Sequence, residues 1–94
     1  MALARAHARI SGRVQGVYYR GNTKKQADLR GLTGFTRNLP DGRVEAVFEG
    51  DEDTVKDMLR WCRKGPEMAY VEKVDVEWEK PASGRKHKSF EITY

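Results

Sequence analysis

Cysteine, histidine and long apolar runs are all scarce in this 94-residue chain. A single thiol, Cys62, excludes an intrachain disulfide. With no secretory leader visible, the expected compartment is the reducing cytoplasm. Cys62, His7 and His87 fall short of a familiar zinc ligand set, so no metal or other cofactor is expected. From Met1 to Ile10 the apolar stretch is too short and too interrupted for a secretory core or a membrane span. No internal repeat, heptad run or low-complexity segment is present, and length predicts one domain over residues 1–94. Charge is plentiful. The formal net charge is +4 and the pI about 9.4, which favours anionic partners without separating small phosphates from nucleic acid.

The stretch richest in chemistry is Gly12-Arg13-Val14-Gln15-Gly16-Val17-Tyr18-Tyr19-Arg20-Gly21. It joins an alternating apolar segment, Ala6, Ala8 and Ile10, to a helix expected over Tyr19–Arg30. Two glycines release the backbone from the usual φ restriction. A glycine-bearing turn into a helix start aims several N–H groups at one spot, which suits an anion. Arg20 near the first helical turn opposes the helix dipole unless an anion lies between them. The loop is not a Walker-type loop, because no Gly-Lys-Ser/Thr follows. A phosphate-sized anion held by the loop and Arg20 is one reading. An ordinary connection and a solvated arginine is the other.

Further along, Gly34–Leu39 and Val44–Glu49 flank Pro40-Asp41-Gly42, a turn signal, and predict a β-hairpin with Phe35 as its packing anchor. Asn38 is unusual in a strand, and an Asx-type bond to the turn backbone is its bland explanation. Gly50–Gly65 predicts the clearest helix, with Asp51 as N-cap and Val55, Met58, Leu59 and Cys62 as its apolar stripe. Val74, Val76 and Trp78 alternate in a later strand, with Val71 out of phase, a sign of a bulge or a strand start. Phe90, Ile92 and Tyr94 form a last short strand at a sheet edge.

Strand, helix, strand, strand, helix, strand is the order of an α+β, ferredoxin-like (βαββαβ) sandwich. The expected form is an antiparallel sheet of four to five strands with both helices on one face. In that topology the first strand, running into the Gly12–Gly21 loop, and the second, ending near Asn38, finish at the same sheet end. An amide there faces the anion site, which makes Asn38 a candidate site residue.

Gly12 to Arg20, followed by Gly34-Phe35-Thr36-Arg37-Asn38-Leu39-Pro40-Asp41-Gly42-Arg43-Val44-Glu45, resembles the acylphosphatase family across nearly the whole chain. The resemblance implies hydrolysis of an acyl phosphate to a carboxylate and inorganic phosphate. It implies Arg20 as the phosphate-binding arginine and Asn38 as the residue that orients water. It also implies a phosphate cradle from the backbone of Gln15, Gly16, Val17, Tyr18, Tyr19 and Arg20. The expected partners are a small acyl phosphate and inorganic phosphate, the latter as product and competitive inhibitor. A monomer with no specific nucleic acid and no membrane completes the expectation. Tyr18, Gly21, the Leu29-Arg30 order and Thr36 depart from the common family pattern. Two alternatives remain: a small basic ferredoxin-like nucleic-acid-binding module, and a catalytically idle interaction domain.

Overall fold

The strands and helices follow the expected order in a computed structural model that describes residues 2–81 and 83–94. Strand β1 (Leu3–Arg13) leads to helix α1 (Tyr19–Leu29), then β2 (Thr33–Asn38) and β3 (Val44–Asp51). Helix α2 (Glu52–Lys64), β4 (Tyr70–Glu79) and β5 (Phe90–Ile92) complete the chain. The sheet order is β4-β1-β3-β2-β5. Pairings among β1 to β4 are antiparallel, but β5 lies parallel to β2, with Gly34 opposite Phe90 and Thr36 opposite Ile92. The sheet is therefore mixed rather than antiparallel throughout. The chain returns to the β2 edge by way of residues 80–89 and enters it in the same direction as β2.

Alternation explains the core. Ala6, Ala8 and Ile10 of β1 stand opposite Phe48, Ala46 and Val44 of β3, and all six are fully buried. The alanines leave room for the helices to approach closely. Val55, Met58, Leu59 and Cys62 of α2 close over this face, as their i, i+3, i+4, i+7 spacing requires. Helix α1 is weakly amphipathic and depends on packing: its buried stripe is Tyr19, Thr23 and Ala27. It ends in a Schellman motif, with the Gly31 N–H donating to Asp28 and the Leu32 N–H to Ala27.

Two expectations need correction, those for Phe35 and Asp51. Phe35 is not a core anchor. Gly34 and Thr36 take the helix side of β2, so Phe35 projects to the opposite face and packs against His87, ring centroids 5.7 Å apart. On the open face, His7 Nε2 lies 2.6 Å from Glu45 Oε2. Glu45 and Glu49 also belong to the open face, yet they are buried there. Asp51 sits at the N-cap of α2 but makes no side-chain capping bond; the Glu52 N–H donates instead to the Ala2 carbonyl. The phase break at Val71 is a bulge: Ser11 pairs with Lys73 and Gly12 with Val71, which leaves Glu72 extra on β4.

Candidate active site

One end of the sheet gathers the ends of β1, β2 and β5 and the start of α1. The approach begins at Gly12, whose φ is 123° and whose missing Cβ would collide with the Tyr70 carbonyl across the bulge. Val14 and Val17 then turn inward and are buried, pinning the loop to the core. Gln15 braces it from the other side: its Nε2 donates to the carbonyls of Leu39, at 2.8 Å, and Arg43, at 2.9 Å. The loop is thereby tied to the β2–β3 turn. That turn holds itself together through Arg43 N donating to Asp41 Oδ1 and Leu39 N donating to the Arg43 carbonyl.

The loop's handedness alternates. Gly16 has φ 74° and Tyr18 φ 60°, while Val17 between them keeps negative φ. Alternating hands turn successive N–H groups to one side, the geometry of an anion-binding nest. Among the described residues, no backbone N–H from Gln15 to Arg20 donates to a carbonyl or a side chain. The first-turn N–H groups of α1 add the positive end of its dipole. Tyr19 fixes this helix start: its ring is buried, its hydroxyl donates to the Cys62 carbonyl at 2.8 Å, and it packs on Trp61. Burial also pushes the Tyr19 hydroxyl far above its ordinary pKa and raises Cys62 to about 12. Neither group ionises near neutrality, and neither reaches the loop's concave side as a nucleophile.

Arg20 and Asn38 meet across a cavity of about 360 Å³. Its walls are Val14, Gly16, Tyr18, Gly21, Ile92 and Tyr94. The Arg20 guanidinium carbon lies 5.1 Å from the Tyr94 ring centroid, and Nη1 is 3.5 Å from the Thr93 carbonyl. Among the described residues it pairs with no carboxylate, so its charge is available to a ligand. Asn38 Oδ1 is buried and has no hydrogen-bond partner among the described residues. The turn-stabilising explanation for Asn38 therefore fails, since its acceptor oxygen does not engage the turn. Among the described residues no carboxylate or imidazole side chain lines this cavity, and no three His, Cys, Asp or Glu side chains come together as a metal site.

Of the residues named from the sequence, Gly16, Tyr18, Arg20 and Asn38 line the cavity, while Gln15, Val17 and Tyr19 belong to the adjoining loop without lining it. The cavity wall also includes Ile92 and Tyr94, which periodicity assigned only to a sheet edge, and the Gln15 side chain ties the loop to the β2–β3 turn. Residues 6–92 match the family model described as Acylphosphatase. The chain belongs to the acylphosphatase family. It is 60% identical over 79 residues to an acylphosphatase of Nostoc sp., covering 84% of this chain and 78% of the relative. It is 57% identical over 81 residues to an acylphosphatase of Roseiflexus sp., covering 86% of this chain and 87% of the relative. The crystal structure of the acylphosphatase from Bacillus subtilis superposes with a TM-score of 0.91 at 31% identity, covering 97% of this chain and 99% of that one. The acylphosphatase fold is therefore the α+β sandwich described above, with its mixed sheet.

Proposed function

We propose that the protein is a hydrolase of acyl phosphates, and that Arg20, Asn38 and the Gln15–Arg20 backbone carry the reaction. The observation that supports these roles most directly is the buried Asn38 Oδ1, lining the same cavity as Arg20, with neither Oδ1 hydrogen-bonded nor Arg20 paired with a carboxylate among the described residues. Arg20 and the converging N–H groups hold the phosphoryl oxygens and stabilise charge spread over them in the transition state. Asn38 Oδ1 accepts a hydrogen from water and leaves a water lone pair facing phosphorus. The water oxygen bonds to phosphorus as the bond to the acyl oxygen breaks. The carboxylate leaves with its electron pair without needing a proton. A phosphoryl oxygen of the substrate takes the proton released by the attacking water, since no side-chain base lines the cavity. Positioning and electrostatics supply the rate.

The nucleic-acid alternative finds little support on the open sheet face. An RNA-binding sheet offers exposed aromatic rings. Here Arg5, His7 and Arg37 pair with Glu49 and Glu45, and Phe35 packs on His87. Among the described residues no helix is long and apolar enough to cross a membrane. A single-domain, cytoplasmic monomer acting on a small acyl phosphate, without a cofactor, completes the proposal. The test is phosphate release from benzoyl phosphate by the purified chain, with and without EDTA. Turnover that survives excess EDTA is expected. No turnover, or turnover lost to EDTA and restored by a divalent cation, rejects the site.

A further inference from the structure

Tyr18 is an expensive residue where it stands. It holds φ 60° and ψ 25° at the N-cap of α1, a left-handed conformation that is strained for an ordinary L-residue. Gly or Asn adopts that conformation more readily. Among the described residues nothing offsets that strain through the ring: Tyr18 is 84% exposed and buries almost no apolar surface. Its backbone is needed for the alternating loop, but its side chain is not. A strained, bulky residue on a site wall points to a role in what binds there.

The cavity's chemistry is divided. Its polar groups, Asn38 Oδ1, Arg20 and the loop N–H groups, match a phosphoryl group and a water. Val14, Ile92, Tyr18 and Tyr94 match neither. Tyr94 is 95% exposed and lies against the Arg20 guanidinium. On the hydrolase reading, a water held by the buried Asn38 Oδ1 puts the acyl group, in line on the far side of phosphorus, away from Asn38 and towards the exposed rings of Tyr18 and Tyr94. Resting on the hydrolase reading above, we propose that Tyr18, with Tyr94, forms an acyl subsite that selects aromatic acyl phosphates over acetyl phosphate. Flat rings suit this wall, since aromatic pairs add attraction beyond area burial.

The test compares kcat/KM for benzoyl phosphate and acetyl phosphate, and binding of the non-hydrolysable benzoylphosphonate and acetylphosphonate. Tyr18→Asn suits the left-handed backbone and should fold normally. It should lower the benzoyl-to-acetyl ratio about tenfold, the scale of a lost apolar contact at a specificity pocket. Tyr18→Phe should keep the ratio, because the ring and not the hydroxyl makes the subsite. An unchanged ratio in folded, active Tyr18→Asn overturns the subsite and leaves acyl-phosphate hydrolysis standing. If the wild-type chain hydrolyses neither substrate, the hydrolase proposal falls and the phosphonates decide. Preferential benzoylphosphonate binding that Tyr18→Asn abolishes then upholds the subsite, and equal binding of the two phosphonates overturns it.

Discussion

Asn38 and Arg20 line one cavity but are expected to fail differently when replaced. Arg20 touches the phosphoryl group before and during the reaction, so Arg20→Lys should weaken phosphate affinity and also depress turnover. Lysine keeps the charge but loses the planar fork. Asn38 is proposed to touch only the water. Asn38→Ala should leave phosphate affinity nearly intact while kcat falls by roughly 10²-fold, the cost of losing one preorganised polar contact. Its melting temperature should stay close to wild type, because Asp41, Arg43 and Gln15 hold the turn without it. A clear loss of stability with near-normal kcat would return Asn38 to a structural role. At this scale the sequence was informative where a residue's chemistry conflicts with its local backbone. Arg20 at a helix start and Asn38 in a strand are both locally out of place, and both line the cavity of the proposed site. Tyr94 and the Gln15 side chain carry no such conflict. Their roles depend on contacts with segments far away in the chain, which local patterning does not encode.

Among the elements, the least foreseen is the arrangement on the open face, where residues 83–89 fold across β2 and β3. Glu49 is their fastening point and is fully buried. Its carboxylate accepts from the N–H groups of Lys86 and His87, from Thr33, and from Arg5 at 2.7–2.8 Å. Burial alone would raise its pKa; the two backbone N–H groups, with Arg5 and Thr33, outweigh it and bring the pKa down to about 2. A depressed carboxylate contributes stability that is present above its unfolded value and is lost as pH falls through the folded one. The stability should thus drop between about pH 5 and pH 2, by on the order of 3 kcal/mol from this group. Glu49→Gln should flatten that part of an acid-unfolding curve. It should also destabilise the chain at pH 7 by roughly 3 kcal/mol, since it breaks a buried pair and leaves Arg5, among the described residues, only its longer contact with Glu79, at 3.5 Å. An unchanged acid limb would show that Glu49 does not fasten the loop. Strict alternation made the strands legible, and the α2 stripe was correct residue by residue. Which face Phe35 would occupy was not legible. One aromatic residue does not set the parity of a six-residue strand whose inward positions are Gly34, Thr36 and Asn38. Nor did any local signal specify that β5 would join β2 in parallel.

For the molecule as a whole, the positively charged end of the sheet should behave as a preformed anion site that couples to folding. The strand ends, the α1 terminus and the Gln15 brace are fixed by the core and the β2–β3 turn, so a ligand meets them only in the native state. Inorganic phosphate should therefore raise the melting temperature by mass action. At tenfold its dissociation constant the gain is about 1.4 kcal/mol, or roughly 6–10 °C for a domain of this size. Two other effects of phosphate act on any protein. Salt screens a net charge of +4, which chloride at matched ionic strength reproduces. Phosphate is also excluded from protein surfaces and strengthens burial generally, which chloride does not reproduce. The variant Arg20→Lys separates that general effect from the site, because its surface is otherwise unchanged. Wild type should gain several degrees more than Arg20→Lys on replacing chloride with phosphate. Equal gains in the two proteins would mean that phosphate acts on the surface at large, and the cradle proposed for Gln15 to Arg20 would not be preformed.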